Sequence, residues 1–282
     1  MIDHTIRGKK VFEDEIAAVK AIGDRLDESF NAAVEAMRPS IESGHKIIVV
    51  GVGKSELIGS KIAATLTSTG APSVVLNTMN AMHGDLGIVQ DGDCCISMSY
   101  SGETSELLTL MPFLKRFDMP IISMTGKSSS TLAELSDVVL ETACEREADP
   151  LNLAPTSSST AMLVMGDALA VALLEARNFT REDFGRSHPG GSLGKSLLLR
   201  ISDIMRKEFA TLPETSTVMN CIIAMTSARA GACVLTHADG TMAGVFTHGD
   251  FARAYQNDPT CGNAPVSGLM TKSPVFVEAD KL

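Results

Sequence analysis

An alternation of short apolar runs and helical stretches between residues 46 and 142 constrains the fold of this chain most strongly. Five runs rich in β-branched residues are typical of strands, at residues 47–50, 73–76, 94–99, 121–124 and 138–140. Helical stretches lie between at least three pairs of these runs, at about residues 55–68, 103–117 and 129–136. Apolar strands separated by helices predict a parallel sheet that is covered on both faces. We therefore expect an α/β fold with a doubly wound, five-stranded parallel sheet.

The first of these runs ends in a glycine turn, VVGVGKS, at residues 49–55. A Walker A loop would need glycine where the chain has Ile48, and a dinucleotide fingerprint would need glycine where it has Glu56. The turn still joins a strand to a helix start, which is the arrangement that holds anions at helix N-termini. ATP and NAD are therefore not expected ligands of this turn.

A second turn of this kind, Ser-Tyr-Ser-Gly-Glu-Thr at residues 99–104, follows the third run and opens a helix. Its hydroxyls and free amide groups suit a phosphate monoester, and the helix dipole adds favourable charge. Most turns rich in serine and glycine are plain caps. Two of them after strands of one parallel sheet favour an anion site, because the carboxyl ends of such strands meet at one edge.

Three basic side chains near these turns are candidate catalytic residues. Lys54 lies in the first turn of a helix, where a cation opposes the positive end of the helix dipole at a cost of about 0.3–1 kcal/mol. A bound anion would remove this unfavourable interaction. A surface lysine that points away is the alternative. His83 lies in the loop after the second run and His188 lies before Pro-Gly-Gly, and histidine as a residue type can act as acid or base. Isolated loop histidines are nevertheless usually structural or exposed.

Two glutamates, Glu106 and Glu147, lie close to the predicted carboxyl edge of the sheet. Either could be a solvated acid, which is what most glutamates are. Spacing alone does not select them over Glu103 or Glu145.

Composition excludes several classes of function. The 282 residues carry a net charge of −10, so the chain is a poor general nucleic-acid binder. The charged N-terminus lacks the apolar core of a signal peptide, and no uninterrupted apolar run approaches the ~18–20 residues of a membrane helix. The six cysteines form no Cys-x-x-Cys pair, and the six histidines are scattered, so no metal site is expected. We expect a cytoplasmic protein with reduced cysteines and no membrane partner.

The flanking regions have their own patterns. Apolar spacing over residues 11–43 predicts one long amphipathic helix that breaks near Pro39. A further helix at about 157–177 opens on a Thr-Ser-Ser-Ser start. After about residue 202 the pattern gives strand, Asp-Gly turn at 239–240, strand and helix. Asp-Ile-Met at residues 203–205 resembles Gly-Leu-Met at residues 268–270. This short similarity suggests a sequence repeat that stops inside its second unit.

Five motifs together resemble one family: GVGKSELIGSKIAATLTSTG, AMHGDLG, SYSGETSE, LAPTSSSTAMLVMGDALAVALL and FGRSHPGGSLGKSLLLR. They are similar to the sugar isomerase (SIS) domain of D-arabinose 5-phosphate isomerases over about residues 10–200. Residues from about 203 resemble a CBS module and the start of a second. The resemblance implies a SIS sugar-phosphate isomerase domain at 1–200, a smaller α+β CBS motif at 203–262 and an incomplete second motif at 266–282.

The resemblance also implies a function. It implies conversion between D-ribulose 5-phosphate and D-arabinose 5-phosphate through an enediol(ate), which supplies Kdo and lipopolysaccharide biosynthesis. It implies a homotetramer without a cofactor, and a possible nucleotide effector at the CBS region. The implied catalytic residues are Lys54, His83, Glu106, Glu147 and His188. The implied substrate-binding residues are Gly53, Ser55, Ser99, Ser101, Gly102 and Thr104, with the phosphate on Ser99, Ser101 and Thr104.

Histidine suits the proton transfers, because its pKa lies near the operating pH without burial. We expect His188 to be the principal acid or base and His83 to assist. Lys54 would stabilise the negative oxygen, and the two glutamates would orient hydroxyls or share proton transfers.

Four positions depart from the family pattern. Glu56 stands where glycine is usual, and Tyr100 replaces an asparagine between the serines. Asp149 and Asn152 stand where the family loop has cysteine and glycine. Glu56 adds a negative charge beside the anion site, where it could weaken binding or pair with Lys54.

Two alternatives stay open. The chain could isomerise another sugar phosphate, which a panel of substrates would decide. It could also be a non-catalytic sugar-phosphate sensor, as in SIS-containing transcription regulators. Those carry an N-terminal DNA-binding domain, whereas about 45 residues precede the first strand here. A sensor would bind pentose phosphate without proton exchange.

Overall fold

The computed structural model describes residues 4–188, 190 and 199–281. The chain forms two compact units, residues 1–197 and 198–282.

The first unit contains the parallel sheet that the sequence predicts. Its strands are β1 (Ile47–Gly51), β2 (Ser73–Asn77), β3 (Cys94–Met98), β4 (Ile121–Thr125) and β5 (Val138–Glu141). All neighbours pair in parallel, in the order β2-β1-β3-β4-β5. Every predicted strand is confirmed with bounds that differ by one residue, because the strands of a covered parallel sheet carry near-continuous apolar runs.

Helices cover both faces of this sheet. They are α1 (His4–Gly23), α2 (Glu28–Glu42), α3 (Lys54–Ser68), α4 (Thr78–Ala81), α5 (Ser105–Leu114), α6 (Thr131–Glu134), α7 (Ser157–Ala176) and α8 (Arg181–Ser187). Alternate residues of β1 face two different cores. Val49 packs with residues of α2, α3 and α7, whereas Val50 packs with residues of α5. The doubly wound α/β class is therefore confirmed.

The prediction of one helix over residues 11–43 is wrong. The chain breaks between Gly23 and Glu28, and the Asp27 carboxylate caps α2 by accepting from the Ser29 amide at 2.9 Å. Pro39, the expected break, lies inside α2. An Asp N-cap stabilises a new helix start by about 1 kcal/mol, and the apolar stripe continues across the break, so spacing alone does not reveal it.

Helix α7 forms part of the core of the first unit. Among the described residues it is the one helix long and apolar enough to cross a membrane by length and composition, and 50% of its apolar window is buried inside the unit. Its buried residues include Met165 and Leu169, which belong to the same core as α2 and α3.

The second unit has a small mixed sheet. It comprises α9 (Ile201–Ile204), β6 (Ala210–Pro213), α10 (Val218–Ser227), β7 (Ala232–Thr236), β8 (Met242–Thr247) and α11 (His248–Asn257). Strand β7 pairs in parallel with β6 and antiparallel with β8. The hairpin predicted at the Asp-Gly pair is present, and Gly240 takes the φ of 85° that the turn requires.

Candidate active site

The crevice between β1 and β3 is the point where the order of strands reverses. Strand β2 lies on one side of β1 and β3 on the other, and Gly51 at the end of β1 is in register with Met98 at the end of β3. The turns that follow these two strands therefore leave the sheet side by side. Open α/β sheets bind ligands at such a position.

The glycine turn after β1 requires its glycines. A β-carbon at Gly51 would lie 2.9 Å from the Glu56 amide nitrogen, and Gly53 has a φ of 60°. Gly53 is the N-cap residue of α3 and supplies no side-chain cap to the described helix. The first amides of a helix have no partner within the helix, so the start of α3 can accept an anion.

Lys54 begins α3 and is exposed. Within residues 4–188, 190 and 199–281 its ammonium has no hydrogen-bond or ion-pair partner. It borders a cavity of about 220 Å³ that is lined by Val52, Lys54, Ser55, Ile58, Tyr100, Pro155, Ser158, Ser159 and Met162. The sequence-predicted Lys54 and Ser55 thus share one cavity.

The turn after β3, residues 99–104, is a network of hydroxyls. Ser99 is 3% exposed, its Oγ lies 2.8 Å from the Thr104 Oγ1, and it accepts the Gly102 amide at 3.1 Å. Gly102 has a φ of 69° and a β-carbon there would overlap Ser130. Thr104 is the N-cap residue of α5 but, among the contacts described, its side chain does not cap that helix. The turn therefore presents Ser101 and the open start of α5 to an anion.

At the start of α7, the Glu147 carboxylate occupies the position that is open to an anion at the starts of α3 and α5. It is 8% exposed, and its carboxylate accepts from the Thr156 amide at 2.8 Å, the Thr156 hydroxyl at 3.1 Å and the Ser158 amide at 3.2 Å. The Ser158 hydroxyl also donates to it. Burial raises the pKa of Glu147, but the hydrogen bonds from Ser158 and Thr156 outweigh burial, so the pKa lies below its ordinary value.

The other predicted acids differ in their surroundings. Glu106 is exposed in the first turn of α5, where its own backbone amide and the Ser105 hydroxyl lower its pKa. Glu103 accepts from the Thr131 amide and hydroxyl at 2.9 and 2.8 Å, which fixes the start of α6. Glu56 accepts from the Asn77 side-chain amide at 2.8 Å, so the Asn77 amide rather than Lys54 is its partner.

Neither of the two predicted histidines lines the cavity that Lys54 borders. His83 is exposed in the turn after α4. His188 stacks on Phe184 at 3.9 Å between ring centroids and lines an open cleft formed by residues 63–68 of α3 and residues of β2. Nine residues separate Lys54 from Ala63, which is about 14 Å along a helix. Within one chain, His188 and Lys54 therefore border different cavities.

Sequence reasoning missed three residues with side-chain hydroxyls that line this cavity: Tyr100, Ser158 and Ser159. The Thr-Ser-Ser-Ser stretch predicts a helix start and belongs to one of the five family motifs, but neither observation assigns Ser158 or Ser159 to the site. The available signal was the position of that start, directly after the loop at the carboxyl edge of β5. No group of three His, Cys, Asp or Glu side chains that could hold a metal ion occurs in the described part of the chain.

Comparisons with known proteins identify the class. The SIS domain family matches residues 40–172, and the CBS domain family matches residues 201–257. The chain is therefore a SIS-domain protein with a CBS module.

Individual relatives narrow the class to a family. The chain is 38% identical to arabinose 5-phosphate isomerase KdsD of Francisella tularensis over 100% of its length and 86% of that protein. It is 42% identical to the KdsD of Escherichia coli K12, covering 96% of this chain and 82% of that one. The chain belongs to the arabinose 5-phosphate isomerase family.

Solved structures agree with this assignment. An Escherichia coli CFT073 protein in complex with arabinose 5-phosphate is 40% identical with a TM-score of 0.63, covering 67% of this chain and 100% of that one. A putative phosphosugar isomerase from Bacteroides fragilis is 35% identical with a TM-score of 0.65, covering 67% of this chain and 99% of that one.

The buried contacts of Glu147 give a prediction for stability. Replacing Glu147→Gln should lower the free energy of unfolding at neutral pH by about 1.5–3 kcal/mol, because hydrogen bonds to a charged acceptor are lost. A carboxyl with a lowered pKa stabilises the fold above its ordinary pKa of 4.5 and loses that contribution as pH falls through its folded pKa. The difference between the wild type and the variant should therefore shrink towards zero in acid.

Urea unfolding at neutral and acidic pH measures this difference. Glu145→Gln, at an exposed carboxylate two residues earlier, is the matched control and should leave the free energy unchanged. A difference for Glu147→Gln that is the same at both pH values would contradict the role of the ionised carboxylate.

Proposed function

We propose that this chain interconverts D-ribulose 5-phosphate and D-arabinose 5-phosphate through an enediol(ate) intermediate. The observation that carries this proposal is that Lys54 and Tyr100, a residue of the serine turn 99–104, line one cavity where the neighbouring strands β1 and β3 end. Membership of the family supports the choice of substrate. The product is proposed to supply Kdo and lipopolysaccharide biosynthesis in the cytoplasm.

The phosphate is assigned to the serine turn. Ser99, Ser101 and Thr104 supply hydroxyls. Gly102 lets the backbone of the turn come close to the phosphate. The start of α5 adds the positive end of its dipole. Gly53 and Ser55 form the opposite wall at the start of α3. Glu147 already occupies the start of α7, so the phosphate has no place there.

Lys54 is assigned to the reacting oxygens. From the ketose, a base removes a proton from C1 while the C2 carbonyl oxygen gains one, which gives the enediol. The O1 proton then leaves, and a proton is delivered to C2, which gives the aldose. A fixed ammonium stabilises the oxygen that becomes negative in each step. Glu106, exposed at the same edge, and Glu147 are assigned to orienting the sugar hydroxyls.

His188 is assigned as the principal acid or base, with His83 assisting. Because His188 and Lys54 border different cavities in one chain, we propose that His188 serves the site of another copy. Large apolar side chains on α1 are exposed, among them Phe12 at 73% and Ile6 at 68%. Such side chains suit burial between subunits, which supports the proposed homotetramer.

The second unit is assigned a regulatory role. Its match to the CBS family supports a nucleotide effector that binds there. Residues 266–282 are proposed to begin a second CBS motif. Thr271 in this segment forms an isolated antiparallel bridge with Val245 of β8.

The reaction itself is tested in deuterated water. The wild type incubated with D-ribulose 5-phosphate should form D-arabinose 5-phosphate with deuterium at C2, detected by NMR. Lys54→Ala should lower kcat by about 10²–10³-fold, the loss typical of removing a group that stabilises an oxyanion. Lys61→Ala, which removes an ion pair with Asp167 on the surface, is the control.

Other outcomes decide between the alternatives. Binding of pentose phosphate without deuterium exchange would indicate a sensor instead of an enzyme. Faster turnover of another sugar phosphate in a panel would indicate a different substrate.

The contribution of His188 from another copy is tested by mixing subunits. Lys54→Ala and His188→Ala should each be nearly inactive, whereas assemblies formed from an equal mixture should regain activity. If each site takes the two residues from different chains, random mixing restores about a quarter of the sites. If the mixture stays as inactive as the separate variants, both residues act from one chain.

A further inference from the structure

Tyr100 lies inside the serine turn and contacts a distant part of the chain. Its ring packs over Gly126, where a β-carbon would come within 2.6 Å of the ring. Its hydroxyl donates to the Cys144 carbonyl at 3.3 Å and accepts the Cys144 amide at 3.3 Å. The Cys144 Sγ lies 3.1 Å from the same oxygen. One phenol thus joins the serine turn to the start of the segment that follows β5.

That segment, residues 144–154, is described throughout and contains no helix or strand. Side chains fix its path instead. The Asp149 carboxylate accepts the amides of Leu151 and Leu153 at 2.7 Å and of Ala154 at 2.8 Å. Asn152 has a φ of 57°, in the left-handed region that asparagine adopts more readily than most non-glycine residues. Its Oδ1 accepts the Glu147 amide at 2.6 Å, which supports this conformation.

The segment carries Glu147 between these two anchors. Tyr100 holds its first residue, and Asn152 holds the backbone of Glu147 itself. Tyr100 also borders the same cavity as Lys54, Ser158 and Ser159. The phenol is therefore placed to set the distance between the phosphate turn and the wall of the cavity that Glu147 organises.

We propose that Tyr100 is a positioning residue for the isomerase reaction, which fixes the segment 144–154, and with it Glu147, against the phosphate-binding serine turn. The inference rests on the proposed function. Burial and the contact with Cys144 raise the pKa of Tyr100 to about 12. The phenol therefore stays protonated, and able to donate to Cys144, throughout the range in which the enzyme works.

The test compares Tyr100→Phe with Tyr255→Phe. These are the two tyrosines of the chain, and Tyr255 lies on α11 of the second unit. Tyr100→Phe keeps the ring and removes one donor and one acceptor. We expect kcat to fall about tenfold, the effect of losing one to two hydrogen bonds.

KM for D-ribulose 5-phosphate and inhibition by inorganic phosphate should stay within about twofold, because the serine turn keeps its hydroxyls. Tyr255→Phe should match the wild type.

The pH dependence separates positioning from general loosening of the fold. Once the segment is freed, Glu147 loses hydrogen bonds that lower its pKa, so the acid limb of kcat should move to higher pH in Tyr100→Phe. Asn152→Gly is the second variant, because glycine accepts the left-handed backbone and removes only the acceptor for the Glu147 amide. It should lower kcat and move the acid limb in the same direction. Unchanged kcat and an unchanged acid limb in both variants would overturn the proposal.

A readout independent of turnover tests the same contact. Arg146 is an exposed trypsin site inside the segment, and cleavage after it gives fragments that mass spectrometry identifies. Cleavage at Arg146 should be faster in Tyr100→Phe than in the wild type or Tyr255→Phe. An equal rate would overturn the inference even if the wild type is a good isomerase. If the wild type shows no turnover, the proposed function fails, and the cleavage rates still decide whether Tyr100 holds the segment.

Discussion

The site depends on which groups accept hydrogen bonds from the backbone amides of three helix N-termini at one edge of the sheet. Helices α3, α5 and α7 all begin close to the carboxyl ends of the strands, and each start has amides that need an acceptor. At α7 the chain supplies that acceptor itself, through the buried carboxylate of Glu147. At α3 and α5 the N-cap residues, Gly53 and Thr104, contribute no side-chain cap in the described structure. An anionic ligand is therefore directed to the crevice between α3 and α5.

This distribution of charge is consistent with the proposed binding of a sugar phosphate by an acidic protein. With a net charge of −10, the overall field repels the ligand, so attraction must be local. Two open helix starts and Lys54 provide it, while Glu56 is kept in a hydrogen bond with Asn77 on the neighbouring strand. We propose that the nucleotide-like turn after β1 forms one wall of a smaller anion site. His188 lines a different cavity, next to residues 63–68 of α3, and the proposed chemistry therefore depends on assembly of the protein.

The sequence predicted those parts of the structure that depend on local pattern. The five strands follow from apolar runs, and the two glycine turns follow from Gly53 and Gly102, which need positive φ values. The break between α1 and α2 was missed, since the apolar stripe passes through it. The surroundings of Glu147 could not be predicted either, because its donors come from residues 156–158, beyond an irregular segment. The same holds for Tyr100, whose partner Cys144 lies 44 positions along the chain.

A crystal structure of the full chain with D-arabinose 5-phosphate tests whether the phosphate binds to the serine turn beside Lys54. This placement predicts phosphate oxygens within hydrogen-bond distance of Ser99, Ser101 or Thr104, with C1 and C2 towards Lys54 and Glu147 still bound to the start of α7. A phosphate that displaces Glu147 from α7, or one that lies away from residues 99–104, would contradict it.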